Sequence, residues 1–323
     1  TPYTSSAASD VYKRQEDKAT PTSNARLMGD NGFPAHDLRA TKKSEGMGYK
    51  GREFSYASPK DPWFKKWFIR FMEWVVGRPF LYRMYCKLND IEATPQNVWG
   101  HGLDILDIKV NYDEDQLDKI PPSGPTIVVA NHPFGLADGG MLGHLVTRKR
   151  DDFFILVNEI ISRVPLLKGH MLPVEFSQTE EGKKINQNTK DQTTKRLNDG
   201  ECLIIFPGGG VATRSNPFKR ESLSEYKWRY FICDRIHEAK CTVVPMYFHG
   251  ENSFWFHFGS WIHVNLRMSM LLRELKNKRN KTLDVTIGDP IPYSTMEGIK
   301  DKVELINFIE AQTMRLKDFP PKS

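Results

Sequence analysis

Short apolar runs recur along most of the chain, with longer polar and mixed stretches between them. From about residue 96 onward, runs rich in β-branched residues lie at 126–130, 153–157, 202–206, 242–248 and 283–287. Stretches with helical periodicity lie between them, for instance around 139–148, 179–198 and 222–238. Strands that alternate with helices form parallel sheets covered on their faces, so the pattern predicts an α/β fold with a mostly parallel central sheet flanked by helices.

A capping box predicts where the last helix of this domain begins. The sequence Ser294-Thr295-Met296-Glu297 pairs a serine with a glutamate three residues later, which is typical of a helix N-terminus. An apolar stripe for the same helix follows, made of Leu305, Ile306, Phe308 and Ile309. We therefore expect one domain over residues 96–323.

Aromatic and basic residues dominate the segment that precedes this domain. The stretches 61–76 and 79–88 carry Trp, Phe and Tyr at helical spacing, interrupted by Lys and Arg. They predict an amphipathic helical hairpin within residues 51–95. Such helices suit the membrane interface, where aromatic rings lie among headgroups and cations meet anionic lipid. A hairpin packed on the protein core is an equally weighted alternative.

The first fifty residues have a different composition. Residues 1–50 are polar, rich in Ser, Thr, Gly and Asp, and without a sustained period, so we expect a disordered leader. The stretch 5–15 resembles translated sequencing adapter, and about the first fifteen residues are therefore interpreted as non-native.

Composition limits the class of partner. Lys and Arg number 46 against 40 Asp and Glu, which gives a net charge of +6 and favours a phosphate substrate, a nucleic acid or an acidic lipid surface. A nucleic-acid partner has only this charge in its favour and is not expected. The basic tract 273–279 is typical of a solvated helix face. Four cysteines without CxxC spacing indicate buried thiols in a reducing cytoplasm, and no apolar run reaches the ~18–20 residues of a membrane span.

A histidine and an aspartate follow the first apolar run. Thr126-Ile127-Val128-Val129 predicts a buried strand, and His132 and Asp138 lie in the segment directly after it, where α/β folds place their chemistry. A short loop can bring Asp138 to one ring nitrogen of His132 and leave the other free to accept a proton from a substrate hydroxyl. No protein nucleophile lies beside the pair, so we expect the substrate to supply one.

A glycine-rich turn follows the run at 202–206. Phe206-Pro207-Gly208-Gly209-Gly210 allows backbone amides to approach an anion or a developing oxyanion, although a plain tight turn is the usual explanation of such a sequence. Downstream, Arg214 carries a guanidinium suited to phosphate, and we expect it to contact the anionic part of a substrate. A surface arginine is the alternative.

A third block combines a core strand with a polar tail. The run 243–248 is interrupted by Pro245, and the tail that follows, 249–253, contains Asn252. This tail either lines a pocket or forms an ordinary loop. The spacing of His249, His257 and His263 matches no metal-binding pattern, and no metal site is expected.

These three blocks, in this order and spacing, resemble the glycerol-phosphate and lysophospholipid acyltransferase family (PlsC-like). The family's hallmarks are an Asn-His-(four residues)-Asp box, a Phe-Pro-Glu-Gly block and a Val-Pro block, and the resemblance covers about residues 100–292. More narrowly, the chain is similar to the bacterial branch that includes ornithine-lipid-type acyltransferases and proteins described as hemolysins. The motifs expected there stand at 131–135, 156–158, 206–209 and 250–253.

Three departures from the family pattern bear on the His–Asp pair and on the substrate. Five residues separate His132 from Asp138 instead of four, an extra residue that Gly135 could absorb as a bulge. Gly208 replaces the glutamate of the second hallmark, and the segment 172–175 lacks the arginine that helps the family hold the acceptor's phosphate. These departures argue against glycerol-3-phosphate as the acceptor and favour a lysolipid with another headgroup, such as a lyso-amino-acid lipid.

The resemblance implies an O-acyltransferase that moves a fatty acyl group from an acyl thioester, carried by acyl carrier protein or CoA, to the hydroxyl of a lysolipid. His132 would be the base and Asp138 its partner, without a metal or other cofactor. The substrate contacts that it implies lie at Asn131, Gly135, Phe206, Pro207, Gly208, Gly209, Gly210, Arg214, Pro245 and Asn252.

Other functions stay open beside this one. The same pair could activate water in a thioesterase or lipid hydrolase, or the chain could be a noncatalytic basic membrane-binding protein. For the acyltransferase, we expect a peripheral location on the cytoplasmic face of the inner membrane, with the helices at 61–88 docked on anionic lipid.

Overall fold

The described domain is built around one β-sheet, and the apolar runs of the sequence form its central strands. The computed structural model describes residues 62–64, 67, 78–91, 93–162, 167, 169–176, 179–219 and 223–322. The predicted leader and most of the predicted helix at 61–76 lie outside the described residues. From that helix, Trp63, Phe64 and Trp67 are helical and exposed.

The helices and strands alternate along the chain. In order they are α1 (Arg78–Asp90), α2 (Val98–Leu106), β1 (Ile108–Asn111), α3 (Glu114–Leu117), β2 (Thr126–Ala130), α4 (Leu136–Thr147), β3 (Phe153–Asn158), α5 (Glu159–Ser162), β4 (Met171–Val174), α6 (Glu180–Asn198), β5 (Cys202–Ile205), α7 (Phe231–Ala239), β6 (Thr242–His249), α8 (Phe254–Ile262), α9 (Val264–Asn277), β7 (Lys281–Ile287), α10 (Tyr293–Met296) and α11 (Lys302–Arg315), followed by a 3₁₀ turn at Leu316–Asp318.

The strand order confirms the predicted fold class. In the described part of the chain, seven strands form one sheet in the order β1-β7-β6-β2-β5-β3-β4, and every neighbouring pair is parallel except β6 with β7. Because β6, β2, β5 and β3 are adjacent and run in the same direction, the loops that follow them meet at one edge. The three sequence blocks with chemical content therefore lie together.

Both faces of the sheet are covered, as the unbroken apolar runs predicted. On β2, Val128 and Ala130 belong to the core cluster on one face, and Ile127 and Val129 to the cluster on the other. All of β2 is buried. Strands buried on both faces are rich in β-branched residues without polar alternation, which is why β2 could be recognised in the sequence.

Two helix boundaries differ from the predictions. The helix predicted over 222–238 begins only at Phe231, because residues 223–230 form no helix and Ser224 instead pairs with Thr213 in an isolated β-bridge. The last helix begins at Lys302 instead of following Ser294, since Asp301 caps it by accepting a hydrogen bond from the Glu304 amide at 2.8 Å. The predicted capping box lies in the separate short helix α10. The stripe prediction holds, with Leu305, Ile306 and Ile309 buried.

The second half of the predicted hairpin packs on the domain. Leu88 of α1 is buried, and Phe80 and Met84 pack against the same core cluster. This part of the hairpin therefore follows the core-packing alternative. None of the described helices is both long enough and apolar enough to cross a membrane.

Candidate active site

His132 and Asp138 meet at the carboxyl edge of β2. His132 Nδ1 lies 2.9 Å from Asp138 Oδ2, so the contact forms although five residues separate the two. The imidazole stacks on Phe206 with the ring centroids 4.0 Å apart, and it lines the wall of a large cavity. A neutral imidazole that donates Nδ1–H to the carboxylate carries its lone pair on Nε2, which is the state a general base requires.

Gly135 accommodates the extra residue between the pair. It stands at the N-terminus of α4 with φ +83°, a conformation that L side chains rarely adopt. Its amide and that of Phe134 donate to Asp138 Oδ2 at 2.9 and 2.8 Å. The same carboxylate oxygen therefore holds both the loop and the histidine ring.

Burial governs the electrostatics of Asp138. The side chain is fully buried, and desolvation raises its pKa, opposed first by the hydrogen bond from His132 and then by the two loop amides. A carboxylate held by three donors in a buried place stabilises a positive charge that develops on the imidazole during proton transfer.

Asn131 holds the loop to the neighbouring strand. Its side-chain amide donates to the Phe248 carbonyl at 2.9 Å and its oxygen accepts from the Phe248 amide at 2.7 Å. The residue is buried and does not line the cavity. Asn131 therefore holds the end of β2 against β6, whereas the sequence predicted that it would contact the substrate.

The glycine-rich turn lies beside the histidine. Phe206, Pro207 and the three glycines at 208–210 all line the cavity. The Gly209 amide donates to the Phe206 carbonyl at 2.9 Å, and Gly209 has φ +68°, so this amide closes the turn. The amides of Gly208 and Gly210 are the members of the turn that can serve an oxyanion.

The cavity is large and mainly apolar. Its volume is about 1050 Å³, and its walls include residues of α1, α2, α4, β3, β4, α6 and α9 together with the loops after β2 and β5. Leu88, Trp99, Leu103 and Ile155 are among its apolar walls. A space of this size and composition suits a long hydrocarbon chain.

Arg214 lies outside the cavity wall. Its guanidinium forms two hydrogen bonds to Glu251, with Nε–Oε2 at 2.8 Å and Nη2–Oε1 at 2.5 Å. The carboxylate of Glu251 has a lowered pKa, first because of the hydrogen bond from Arg214. The structure therefore places the Arg214 guanidinium against a carboxylate of the protein, whereas the sequence predicted a contact with a substrate anion.

Arg229 and Arg267 line the cavity where Arg214 does not. A Cβ placed on Gly209 would lie 3.6 Å from Arg229 Nε, so this guanidinium adjoins the glycine-rich turn. Arg267 lies over the Tyr226 ring at 5.3 Å and also hydrogen-bonds its hydroxyl. No sequence motif singled out either arginine. The only available signal was that Arg229 follows the glycine-rich turn in the chain.

Pro245 and Asn252 also lie away from the cavity. Pro245 is within β6, paired in register with Val129, and Asn252 is buried in the loop before α8. That loop is anchored by two residues of the basic tract that was expected to be solvated. Glu274 accepts hydrogen bonds from Ser253, and Lys278 donates to the Glu251 carbonyl at 2.8 Å.

The expectation of a solvated face is wrong for Glu274 and Lys278, since both are buried. Lys278 Nζ lies 4.3 Å from the centre of the Phe134 ring, so it packs directly against the histidine loop. Burial lowers the pKa of this lysine. Of the described residues, no three His, Cys, Asp or Glu side chains come together as a metal site, and His249, His257 and His263 do not converge.

Glu225 supports His132 from the other side. Its Oε1 accepts a hydrogen bond from the His132 amide at 3.2 Å, and the His132 carbonyl accepts one from the Ala212 amide at 2.8 Å. Burial raises the pKa of Glu225 to about 7, opposed by the hydrogen bond from His132. No motif indicated this residue, because it lies 93 positions from the histidine that it contacts.

The fold and site together define an α/β protein in which a hydrogen-bonded histidine and aspartate lie at a mainly apolar cavity. The sequence model of the family described as "Acyltransferase" matches residues 94–320. This match covers more than half of the chain, and the chain belongs to the acyltransferase family.

Two similar proteins of known activity are both named lyso-glycine lipid O-acyltransferase. That of Bacteroides thetaiotaomicron is 28% identical over 215 residues, 64% of this chain and 75% of that protein. That of Phocaeicola vulgatus is 26% identical over 221 residues, 66% of this chain and 75% of that protein. A similar solved structure is the 1-acyl-sn-glycerophosphate acyltransferase PlsC from Thermotoga maritima, with a TM-score of 0.42, 15% identity, and coverage of 79% of this chain and 88% of that one.

Proposed function

We propose that this protein transfers a fatty acyl group from an acyl thioester to the free hydroxyl of a lysolipid with an anionic headgroup. The observation that carries the proposal is the 2.9 Å contact between His132 and Asp138 at the wall of the apolar cavity. The names of the two similar proteins make a lyso-glycine lipid the first acceptor to test.

The reaction requires a base and no protein nucleophile. His132 Nε2 takes the proton of the lysolipid hydroxyl as its oxygen attacks the thioester carbonyl carbon. Asp138 holds the ring and stabilises the imidazolium. When the tetrahedral intermediate collapses, the carbon–sulfur bond breaks and the imidazolium returns its proton to the departing thiolate. The products are an ester and a free thiol, and the scheme needs no metal or other cofactor.

In this scheme the turn after β5 stabilises the oxyanion of that intermediate. Gly208 and Gly210 line the cavity on the side of Phe206, whose ring stacks on His132. Backbone amides fixed before the reaction stabilise developing negative charge without reorganising, a contribution of about 2.7–4 kcal/mol per donor in other acyl-transfer enzymes. We assign this role to the amides of Gly208 and Gly210.

The acceptor headgroup belongs at the arginines of the cavity. Arg229 and Arg267 can each offer a planar fork of donors to a carboxylate or a phosphate. They replace Arg214 in the proposal, because Glu251 already pairs with that residue. The apolar walls would then hold the hydrocarbon chains of the two substrates.

A lipid acceptor implies work at a membrane. We propose a peripheral location on the cytoplasmic face of the inner membrane, where acyl thioesters are available. Trp63, Phe64 and Trp67, which are exposed by 81%, 61% and 64%, support the interfacial role of the segment before α1.

An acceptor panel tests this proposal. Purified full-length protein is incubated with labelled acyl-CoA or acyl carrier protein thioester and with lyso-glycine lipid, lysophosphatidic acid, a zwitterionic lysolipid or no acceptor. Mass spectrometry should show the acylated product for an anionic lysolipid. Release of free fatty acid at the same rate without an acceptor would instead identify a hydrolase.

A further inference from the structure

An exposed group of aromatic rings lies outside the cavity. Phe218, Phe254, Trp255, Phe258 and Trp261, here called the aromatic surface, contact one another with ring centroids 5.6–6.2 Å apart. Phe218, Trp255 and Trp261 are exposed by 67%, 55% and 57%. A connected set of exposed aromatic rings in a folded domain indicates a binding surface.

Most of these rings lie on helix α8, which is apolar on its buried face and aromatic on its exposed face. On α8, Phe256, His257 and Gly259 are buried, and Gly259 packs closely against Met270 of α9. The opposite face presents large aromatic side chains where a solvated helix would present polar ones. Folding of the domain therefore does not account for the composition of this face.

The loop beside α8 brings positive charge to the same place. In the described part of this loop the basic residues are Arg214, which pairs with Glu251, and Lys219. Lys219 is exposed and directly follows Phe218 in the chain. Large aromatic side chains with adjacent cations are the composition that binds the interface of an anionic bilayer.

The aromatic surface adjoins the cavity through two elements. Helix α9 packs on α8 and contributes Arg267, Leu271 and Leu275 to the cavity wall. The loop that carries Phe218 begins at Val211, which also lines the cavity. A bilayer that touched these rings would therefore lie one helix away from the site.

We propose that the aromatic surface is a membrane-docking site that inserts into the headgroup region of an anionic bilayer, in addition to the segment before α1. The inference rests on the proposed function only in that the acceptor is a lipid. An exposed aromatic face could also bind a second copy of the chain. The test below distinguishes that possibility from membrane docking.

Co-sedimentation with vesicles tests this proposal directly. Full-length wild type and a Phe218→Ala, Trp255→Ala, Trp261→Ala triple variant are mixed with vesicles of phosphatidylglycerol and phosphatidylcholine, or of phosphatidylcholine alone. Each aromatic side chain buries a large apolar area at an interface, so the triple variant should bind at least about tenfold more weakly. Lys219→Glu should weaken binding to the anionic vesicles more than to the neutral ones.

Matched controls separate this effect from misfolding and from failure of the proposed function. Phe319→Ala removes another exposed aromatic ring, 63% exposed, and should leave vesicle binding unchanged. Thermal unfolding of the triple variant should match that of wild type. Transfer to a short-chain acceptor below its micelle concentration should also persist. If wild type transfers no acyl group but the variant still loses vesicle binding, the docking proposal stands without the enzymatic one.

Two results would overturn the docking proposal. The first is equal vesicle binding by wild type and the triple variant. The second is a wild-type dimer in solution that the triple variant converts to a monomer with unchanged vesicle binding, which would assign the aromatic surface to a second copy of the chain.

Discussion

At the scale of single residues, the site depends on which charged groups already have partners. Arg214 is paired with Glu251, whereas Arg229 and Arg267 line the cavity. The sequence could place an arginine after the glycine-rich turn, but it could not show that a carboxylate 37 positions away would occupy it. Pairing across such a distance is decided by the loop geometry and not by a local pattern.

Arg229→Ala should raise the apparent KM for the anionic acceptor about tenfold, because charge-assisted hydrogen bonds contribute roughly 1.5–3 kcal/mol. Arg229→Lys should recover part of this loss, since the charge returns without the planar fork. Steady-state kinetics with varied acceptor measures both, with Arg214→Ala as the matched control. If KM rose for Arg214→Ala and not for Arg229→Ala, the anion would bind at Arg214, as the sequence predicted.

Glu225 should make stability depend on pH. Its pKa is raised to about 7 by burial, so between about pH 4.5 and 7 the folded protein keeps a proton that the unfolded chain loses. The free energy of unfolding therefore falls as pH rises through this window. Glu225→Gln keeps an acceptor for the His132 amide and removes the titration. The free energy of unfolding of the variant relative to wild type should therefore be higher at pH 8 than at pH 4.5, by on the order of 3 kcal/mol.

Urea unfolding of wild type and Glu225→Gln at the two pH values measures this difference. Glu297→Gln, at an exposed side chain after α10, is the control and should show little change. Parallel stability curves for wild type and Glu225→Gln would show that Glu225 does not hold its proton in the folded state.

At the scale of elements, the start of α4 determines whether the pair can form. Gly135 has φ +83°, and a Cβ there would lie 2.9 Å from Leu271 and 3.3 Å from Val211. The single extra residue of the histidine box is accommodated by this backbone conformation.

Gly135→Ala should therefore destabilise the domain by about 1–3 kcal/mol, the cost of holding a side chain in a strained backbone region, and should reduce turnover by moving Asp138. Gly102→Ala, in the interior of α2, adds a Cβ that meets no other part of the protein within 4 Å and should stabilise by about 0.4–1 kcal/mol. It is a control for stability alone, since Gly102 lines the cavity. Thermal unfolding of the two variants and turnover of Gly135→Ala give the comparison. If Gly135→Ala were as stable as Gly102→Ala, the loop would accept a side chain at position 135 without strain.

The same elements show how far the sequence predicts this fold. The long buried strands β2 and β6 were evident, because central parallel strands are apolar on both faces. The edge strands β1 and β4 were missed, since each has four residues and is only partly buried. Glu274 and Lys278 were assigned to a solvated face because a basic tract gives no sign of the loop that packs over it.

At the scale of the whole molecule, the described domain holds the complete candidate site. His132, the glycine-rich turn and both cavity arginines lie between residues 131 and 268. The predicted division into a leader at 1–50, interfacial helices at 51–95 and an acyltransferase domain at 96–323 stays a prediction.

Deletion of residues 1–50 should leave kcat and vesicle binding unchanged, because that segment lacks the aromatic and basic periodicity of the segment that follows it. Activity assays and vesicle co-sedimentation of the shortened protein check this. A large fall in either quantity would assign the leader to the functional unit.

The most direct test is the initial rate of acyl transfer from an acyl thioester to lyso-glycine lipid by His132→Ala, with His101→Ala as a matched control outside the site. Loss of a general base costs about 10²–10⁴-fold, so His132→Ala should fall by at least that range while His101→Ala stays near wild type. A folded His132→Ala protein that retains near-normal transfer would contradict the account.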